Sequence, residues 1–565
     1  MTQMQKLDTE ILSIEKALES ARLEEAQLLL SQILQMSPQH PRANELLAYL
    51  FAARGQQDKA FEQLRMASQL KGALPSAFYA LGRQYLDTGQ FQDAISNLQI
   101  SISGNGKFIE GLHDLGIAYA ASGNLIKARE TFEDALKLWP NSAEISYNLG
   151  RIYDDLGMLE EATKSYQDAI NISPHFVEAY INLGDVNVEQ CNYEAAINSY
   201  DAALAIDPML ADALVNRGVV FHITKQFEQA LLSYDRAITI NQGCAGAHFN
   251  KALTLIALGR YAEGWKEYEW RWLYEQFRSP TRRFAQPLWL GIQALDKKSL
   301  LIHSEQGLGD TIQFSRYLNA LKNKGGQIYI EVEDPLIPLL DSMKIGAVIL
   351  KKGSELPKFD YHCPMMSLPL ALNLSDSELL SSEKYLQVED ELIAAWQGRL
   401  GTHALPRVGV VWRGSLNHPN NKNRNIPLEK FLLHLPRGPQ YISLQKELTK
   451  EEEEILNCSK MITDYSDLLE SFKDTAALVS CLDLVIGVDT STIHLSGALG
   501  VRTWLLLSYV QDWRWPSSGD ESAWYSSVKI FRQSKDQNWD PVLERLGREM
   551  DSLINQKSEL KVQNK

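Results

Sequence analysis

Apolar positions in the first half of the chain follow a helical period nested inside a longer one. Glycine stands at 82, 116, 150, 184 and 218, always 34 residues apart, and small and apolar residues recur around it in one register. Leu149-Gly150, Tyr153, Gly157, Ala162, Tyr166, Ala169 and Pro174 return as Leu183-Gly184, Asn187, Cys191, Ala196, Tyr200, Ala203 and Pro208. The upstream copy reads Leu115-Gly116, Tyr119, Gly123, Ala128, Phe132, Ala135 and Pro140. Each copy has room for two helices, and such a pair buries its apolar face only by stacking on its neighbours. The pattern decays through Ala48, Gly55, Ala60 and Ala67 towards Ala26 and Pro38, and at the other side through Ala252, Gly259 and Tyr261. Atypical end copies are what a stack needs as caps.

The spacing resembles the tetratricopeptide repeat (TPR), in which a small residue lets the first helix approach the second and proline ends the unit. The resemblance implies an all-α superhelix over 1–275, about seven to eight units long, with a surface suited to a protein or peptide partner. Asparagine recurs at the same interval, as Asn148, Asn182, Asn216 and Asn250. An amide both donates and accepts hydrogen bonds, so these four form a candidate ladder for the backbone of an extended peptide. Packing between units is the competing reading.

Near residue 270 the pattern changes. Glu263–Trp272 keeps helical spacing and is rich in aromatics that would seal the last repeat, and 276–298 brings prolines and reads as an ordered connector. Short apolar runs follow at 299–305, 326–333 and 346–352, with a helix expected over Thr311–Lys322, and a second set at 407–414, 441–445, 482–489 and 501–508. Alternation of strands and helices implies parallel sheets covered on both faces. Two Rossmann-like halves are expected, at 299–395 and 396–545, with a polar tail at 546–565. In such sheets ligands sit beyond the carboxyl ends of the strands.

Composition narrows the picture. A formal charge of -15 disfavours a nucleic-acid surface, and five scattered cysteines without CxxC spacing suggest neither a disulfide framework nor a zinc site. No apolar run reaches membrane-spanning length and the first twenty residues lack a signal core, so a cytoplasmic location is expected.

Two loops carry the candidate chemistry. Gly307 and Gly309 precede a helix with Asp310 at its start, which suits a ligand approaching backbone N–H groups, although aspartate also caps helices without further purpose. Asp489, Thr490, Ser491, Thr492 and His494 follow a strand and open a helix, a candidate diphosphate cradle in which His494 is either a ligand contact or structural. The absence of a P-loop lysine signature disfavours nucleoside-triphosphate hydrolysis.

QGLGD, WRGSLNHPNNKNRNIPLEKF, DTAALVSCLDLVIGVDTSTIHLSGALG and the final DWRW together resemble bacterial TPR-glycosyltransferase proteins whose catalytic region is related to the heptosyltransferases. The plan of a TPR array followed by a GT-B region is also similar to O-linked N-acetylglucosamine transferase, where an asparagine ladder serves polypeptide acceptors. The resemblance implies a metal-independent enzyme with no cofactor beyond its nucleotide diphosphate sugar donor. It casts Asp310 as the general base and Arg424, in place of the family's lysine, as the donor phosphate contact. The diphosphate loop becomes Asp489, Thr490, Ser491, Thr492 and His494, with Ser491 where the family has glycine. Trp412, Ser443, Gln445 and Lys446 are weaker candidates for base or ribose contacts, and Trp513 and Arg514 either close over the cleft or pack. The first half is short for a full acceptor domain, so the array is expected to supply part of the acceptor site. The alternative is a non-catalytic TPR scaffold with a degenerate transferase domain.

Overall fold

The computed structural model describes residues 3–563 apart from 104–106, 278, 323, 375, 381–383, 403–404 and 416–420. The chain forms two compact units, Met1–Val220 and Phe221–Lys565. Among the described residues, sixteen helices run in sequence from Gln3–Glu19 to Tyr261–Tyr268. The second unit therefore begins inside the Ala211–Ile223 helix and contains the last helices of the array.

The glycine ladder is explained by close approach. A Cβ built on Gly116, Gly150 or Gly184 would lie 2.5, 2.7 or 2.5 Å from the ring of Phe132, Tyr166 or Tyr200 on the second helix of the same pair. The two alanines per unit are likewise fully buried, as at Ala128 and Ala135, Ala162 and Ala169, and Ala196 and Ala203. The turn between paired helices uses left-handed backbone, at Gly123 and Gly157 with φ of 80° and 72°, and Cys191 adopts the same conformation with φ 61°.

In the second unit, parallel strands β1 (Ser299–His303), β2 (Gln327–Val332), β3 (Val348–Lys351) and β4 (Tyr361–Pro364) form a sheet in the order β3-β2-β1-β4. A six-stranded parallel sheet follows, built from β5 (Arg407–Val411), β6 (Gln440–Ser443), β7 (Ile462–Thr463), β8 (Leu484–Val488), β9 (Thr503–Leu507) and β10 (Val528–Arg532). Its order is β10-β9-β8-β5-β6-β7. Strand order reverses between β1 and β4 and between β5 and β8, and in open sheets of this kind it is beyond the carboxyl ends at such points that ligands sit. The connector is ordered along β4: Trp289 N–H donates to His362 O (2.8 Å) and His362 N–H to Pro287 O (3.2 Å).

Strand alternation sorts the side chains of the larger sheet. Val408, Val410, Trp412, Leu484, Ile486 and Val488 face a core closed by Leu543, Leu546 and Met550 of the last helix. Val411 and Val485 face the opposite core, shared with the first sheet and with Trp265 and Tyr268 of the last helical pair. The helix expected over Thr311–Lys322 starts earlier, at Leu308, and ends at Phe314 before a 3-10 turn over Ser315–Leu321.

Gly150→Ala should destabilise the protein by roughly 1–3 kcal/mol, because its methyl group has no room against Tyr166. Gly398→Ala, in a helix and with nothing within 4 Å of the new Cβ, should instead stabilise by about 0.5–1 kcal/mol. Thermal unfolding followed by circular dichroism distinguishes the two signs.

Candidate functional site

The loops after β1 and β8 meet. A Cβ on Gly309 would lie 3.0 Å from His494 Cδ2 and 3.3 Å from Ser491 Cα, so the Leu308–Phe314 and Ser491–Ala498 helices touch where glycine leaves room. Gly307, Gly309 and Asp310 are thus brought beside Ser491 and His494.

Asp310 is the third residue of its helix, and its Oδ2 accepts the Gly307 N–H (2.8 Å), a capping bond. Its Oδ1 accepts from Arg514 Nη2, which also donates to Gln306 Oε1 (3.2 Å), while Arg514 Nη1 donates to Asp512 Oδ1 (2.7 Å). Burial pushes the Asp310 carboxyl above its usual range, against the pull of Arg514. Burial acts the same way on Asp512, but there Arg514 wins and holds the group below the usual range. The Arg514 guanidinium rests on Trp513, 4.1 Å from the ring centroid, and Trp513 packs edge-on against Trp265. Trp513 and Arg514 therefore pack and also line the meeting point of the loops.

Arg424 reaches the other loop. Its Nη1 donates to the Asp489 carbonyl (2.9 Å) and its Nε to Asn421 Oδ1 (3.3 Å). A Cβ on Gly414 would lie 1.8 Å from Arg424 Nη2, so only glycine lets the guanidinium cross the end of β5. Burial lowers the Arg424 pKa, an effect that Asp489 and Asp512 oppose. Asp489 follows Val488 on the strand face opposite Trp412, and burial, with Asp512 adding repulsion, pushes its carboxyl up. Thr490 is the N-cap of the Ser491–Ala498 helix, yet its Oγ1 is buried and has no hydrogen-bond partner among the described residues.

His494 is buried between aromatic rings. It stacks on Trp515 at 5.3 Å and 18°, its Nδ1 lies 3.0 Å from Tyr525 Oη, and its Nε2 is 3.7 Å from Asp489 Oδ1. Burial, with Arg514 nearby, pushes its pKa down to about 3, so the ring is neutral at physiological pH.

Four weaker candidates lie elsewhere. Trp412 is 0% exposed on the far face of β5, and its indole N–H donates to Glu452 Oε1 (2.7 Å), so it presents no surface to a base or ribose. Ser443 and Gln445 are buried, with Ser443 Oγ accepting the Gln445 N–H (3.3 Å) and Gln445 Oε1 accepting the Arg413 N–H (3.4 Å). Lys446 Nζ donates to Ser466 O (3.0 Å) and Leu469 O (2.6 Å), which ties down a loop. The asparagine ladder is also engaged internally. Asn148 Nδ2 lies 3.0 Å from His113 Nε2, and the other amide N–H groups meet Tyr147 Oη from Asn182 (3.2 Å), Asp185 Oδ1 from Asn216 (3.0 Å) and Gly246 O from Asn250 (2.9 Å). Packing between and within units engages these N–H groups.

Sequence reasoning missed Arg271. It is 0% exposed and donates to Glu305 (2.7 and 3.1 Å), Glu269 (2.8 Å) and Ser367 Oγ (2.8 Å), while Glu305 Oε1 also accepts the Met366 N–H (2.9 Å). The available signal was an arginine inside the aromatic run EYEWRWL, where a solvated charge is out of place.

Comparison with known proteins bears on the helical region. Tetratricopeptide repeat families match residues 108–175 and 211–244, a TPR repeat family matches 188–224, and the family of anaphase-promoting complex, cyclosome, subunit 3 matches 19–100. The N-terminal region is a TPR array. It is the part of this chain suited to protein interaction. Protein FlbA of Caulobacter vibrioides is 28% identical over 324 residues, which cover 53% of this chain and 54% of FlbA. The chain spans about half the length of this curated relative. Among solved structures, MamA is 23% identical with a TM-score of 0.29, covering 30% of this chain and 92% of its own. YrrB, described as a TPR protein with an unusual peptide-binding site, is 21% identical with a TM-score of 0.28, covering 30% and 88%. The C-terminal part of a TPR protein from Cytophaga hutchinsonii is 14% identical with a TM-score of 0.37, covering 42% and 98%. Among the described residues, no helix of the TPR array or of the α/β region is long and apolar enough to cross a membrane.

The depressed His494 pKa has a measurable sign. Between about 3 and the unfolded value of ~6.5 the unfolded chain binds the proton that the native ring refuses, so acid favours unfolding. The contribution of His494 is fully present above ~6.5 and lost as pH falls towards about 3. Chemical denaturation of wild type and His494→Gln across this window should give a stability difference that shrinks or reverses with acid. A constant difference would mean that the ring titrates normally in the native protein.

Proposed function

We propose that this protein is a GT-B-type glycosyltransferase moving a sugar from a nucleoside diphosphate to an acceptor hydroxyl. The observation that carries the reading is the meeting of the two strand-end loops at Gly309 and Ser491, which gives one crevice a carboxylate from the first sheet and a helix N-terminus with an arginine from the second. Asp310 takes the acceptor proton as the acceptor oxygen bonds to the anomeric carbon. The bond between sugar and diphosphate breaks, and its electron pair leaves with the diphosphate. Arg424 and the N–H groups that open the Ser491–Ala498 helix stabilise that departing charge, a task for fixed donors in a water-poor site. His494, neutral and pinned by Tyr525, shapes this loop. Trp265, Tyr268 and Arg271 support the further proposal that the end of the array completes the acceptor side, since all three pack into the first half. The acceptor in this reading is a protein or peptide held by the TPR surface, with the ladder N–H groups serving the array's own packing.

One observation favours a second reading, a TPR scaffold with a degenerate transferase region: Arg514 occupies the carboxylate that catalysis needs. Donor hydrolysis and transfer assays separate the two. In the enzyme reading, a panel of nucleotide sugars contains one that raises the melting temperature of the protein and is turned over. Asp310→Asn should then bind donor no more weakly than wild type and lower turnover by roughly 10²–10⁴-fold. Stabilisation by a nucleotide sugar with no turnover by wild type would leave the scaffold reading.

Arg424→Ala should weaken binding of the corresponding nucleoside diphosphate by roughly 10- to 100-fold and binding of the bare nucleoside far less, because bonds from a charged donor to phosphate are the strong ones. Calorimetric titration of both ligands measures the contrast, and equal losses would point to general damage.

A further inference from the structure

Arg514 has two acidic partners and, among the described residues, an Nε with none. The residue is 7% exposed, and its guanidinium bridges Asp310 and Asp512, residues from the two α/β halves, while its Nε is buried without a hydrogen-bond partner among the described residues. Asp310 is correspondingly blocked: one oxygen takes the Gly307 N–H and the other takes Arg514. The pairing covers a lone pair that a hydroxyl proton would need, and its charge works against the burial that raises the carboxyl. Beside it, the helix that packs on Gly309 opens with Thr490, whose Oγ1 is also buried and unpartnered. Arg514 and Arg424 both lie close enough to Asp489, just before that helix, to act on its carboxylate electrostatically. A planar fork of five donors suits paired phosphate oxygens.

Resting on the glycosyltransferase reading, we propose that Arg514 is an exchange residue that pairs with Asp310 until the donor diphosphate binds beside Thr490, then turns to the diphosphate and leaves Asp310 open to the acceptor proton. The guanidinium stays charged throughout, and no covalent bond changes in the exchange. The base is thereby uncovered only when a leaving group is in place, and the donor binds before the acceptor is activated. Arg514 acts in this scheme by positioning and by binding donor, while the proton goes to Asp310.

The test is a binding cycle on the full chain. UDP, GDP, ADP and CDP are titrated calorimetrically into wild type, and the tightest is carried into Asp310→Asn, Arg514→Gln and the double variant, each checked for native circular dichroism. Exchange means that Asp310 competes with the diphosphate for Arg514. Asp310→Asn should therefore tighten diphosphate binding by about tenfold when Arg514 is present, as expected for loss of a competing charged partner, and by less than about twofold in the Arg514→Gln background. Equal tightening in both backgrounds would show simple relief of charge repulsion, and no tightening in either would show no competition. Both results overturn the exchange and leave the donor site standing. Failure of all four diphosphates to bind wild type at millimolar concentration would instead sink the transferase reading itself, and the exchange with it. Should Arg514→Gln not fold, Arg514→Lys replaces it, since an ammonium keeps the charge and lacks the planar five-donor fork. Tightening by Asp310→Asn should then fall below about threefold, and a full tenfold effect would overturn the proposal.

Discussion

The buried charge on Arg271 constrains everything around the candidate site. Stripping a guanidinium of water costs several kcal/mol, and only close pairing and complete hydrogen bonding recover it. Here the recovery comes from three parts of the chain: the turn that ends the last helical pair, the loop after β1 through Glu305, and the loop after β4 through Ser367. Those two loops flank the point where strand order reverses in the four-stranded sheet. Glu305 immediately precedes the Gln306-Gly307 segment whose N–H is capped by Asp310, so the position of the carboxylate is inherited from an ion pair that never meets solvent. The arrangement is all or nothing, because losing either partner strands a charge in the core.

The array and the alternating strands were legible because both rest on local periodicity. Gly150 announces itself by recurrence, and the close approach of Tyr166 explains why nothing larger stands there. The strands that end at Val411 and Val488 fall inside the apolar runs read at 407–414 and 482–489. Tyr361–Pro364 carries no such run, and its place beside β1 comes from pairing rather than from its own preference. The same limit governed the site. Asp310 and Asp489 stand in recognisable loops, whereas the bond from Asp310 to Arg514 spans 204 residues and leaves no trace in either segment.

Trp412 illustrates a different kind of miss. It follows a strand that points at the crevice, and proximity in sequence suggested a ligand contact. Two-residue alternation from Val408 and Val410 already assigned it to the face that the last helix covers, as Val411 on the other face makes plain. Parity along a strand is therefore the better guide to which strand-end residues can reach a ligand.

The fit of Gly116, Gly150 and Gly184 each to an aromatic ring of its own unit has a consequence for length. Because the tight contact is internal to a helical pair, and a stacked unit otherwise touches only its neighbours, the array between its caps is divisible at intervals of 34 residues and at no other. Insertion or loss of one whole interval hands every remaining ring its glycine, whereas a partial interval sets a ring against a side chain. The reach of this chain is thus quantised: it can lengthen or shorten by whole steps without any change in the packing that each step carries.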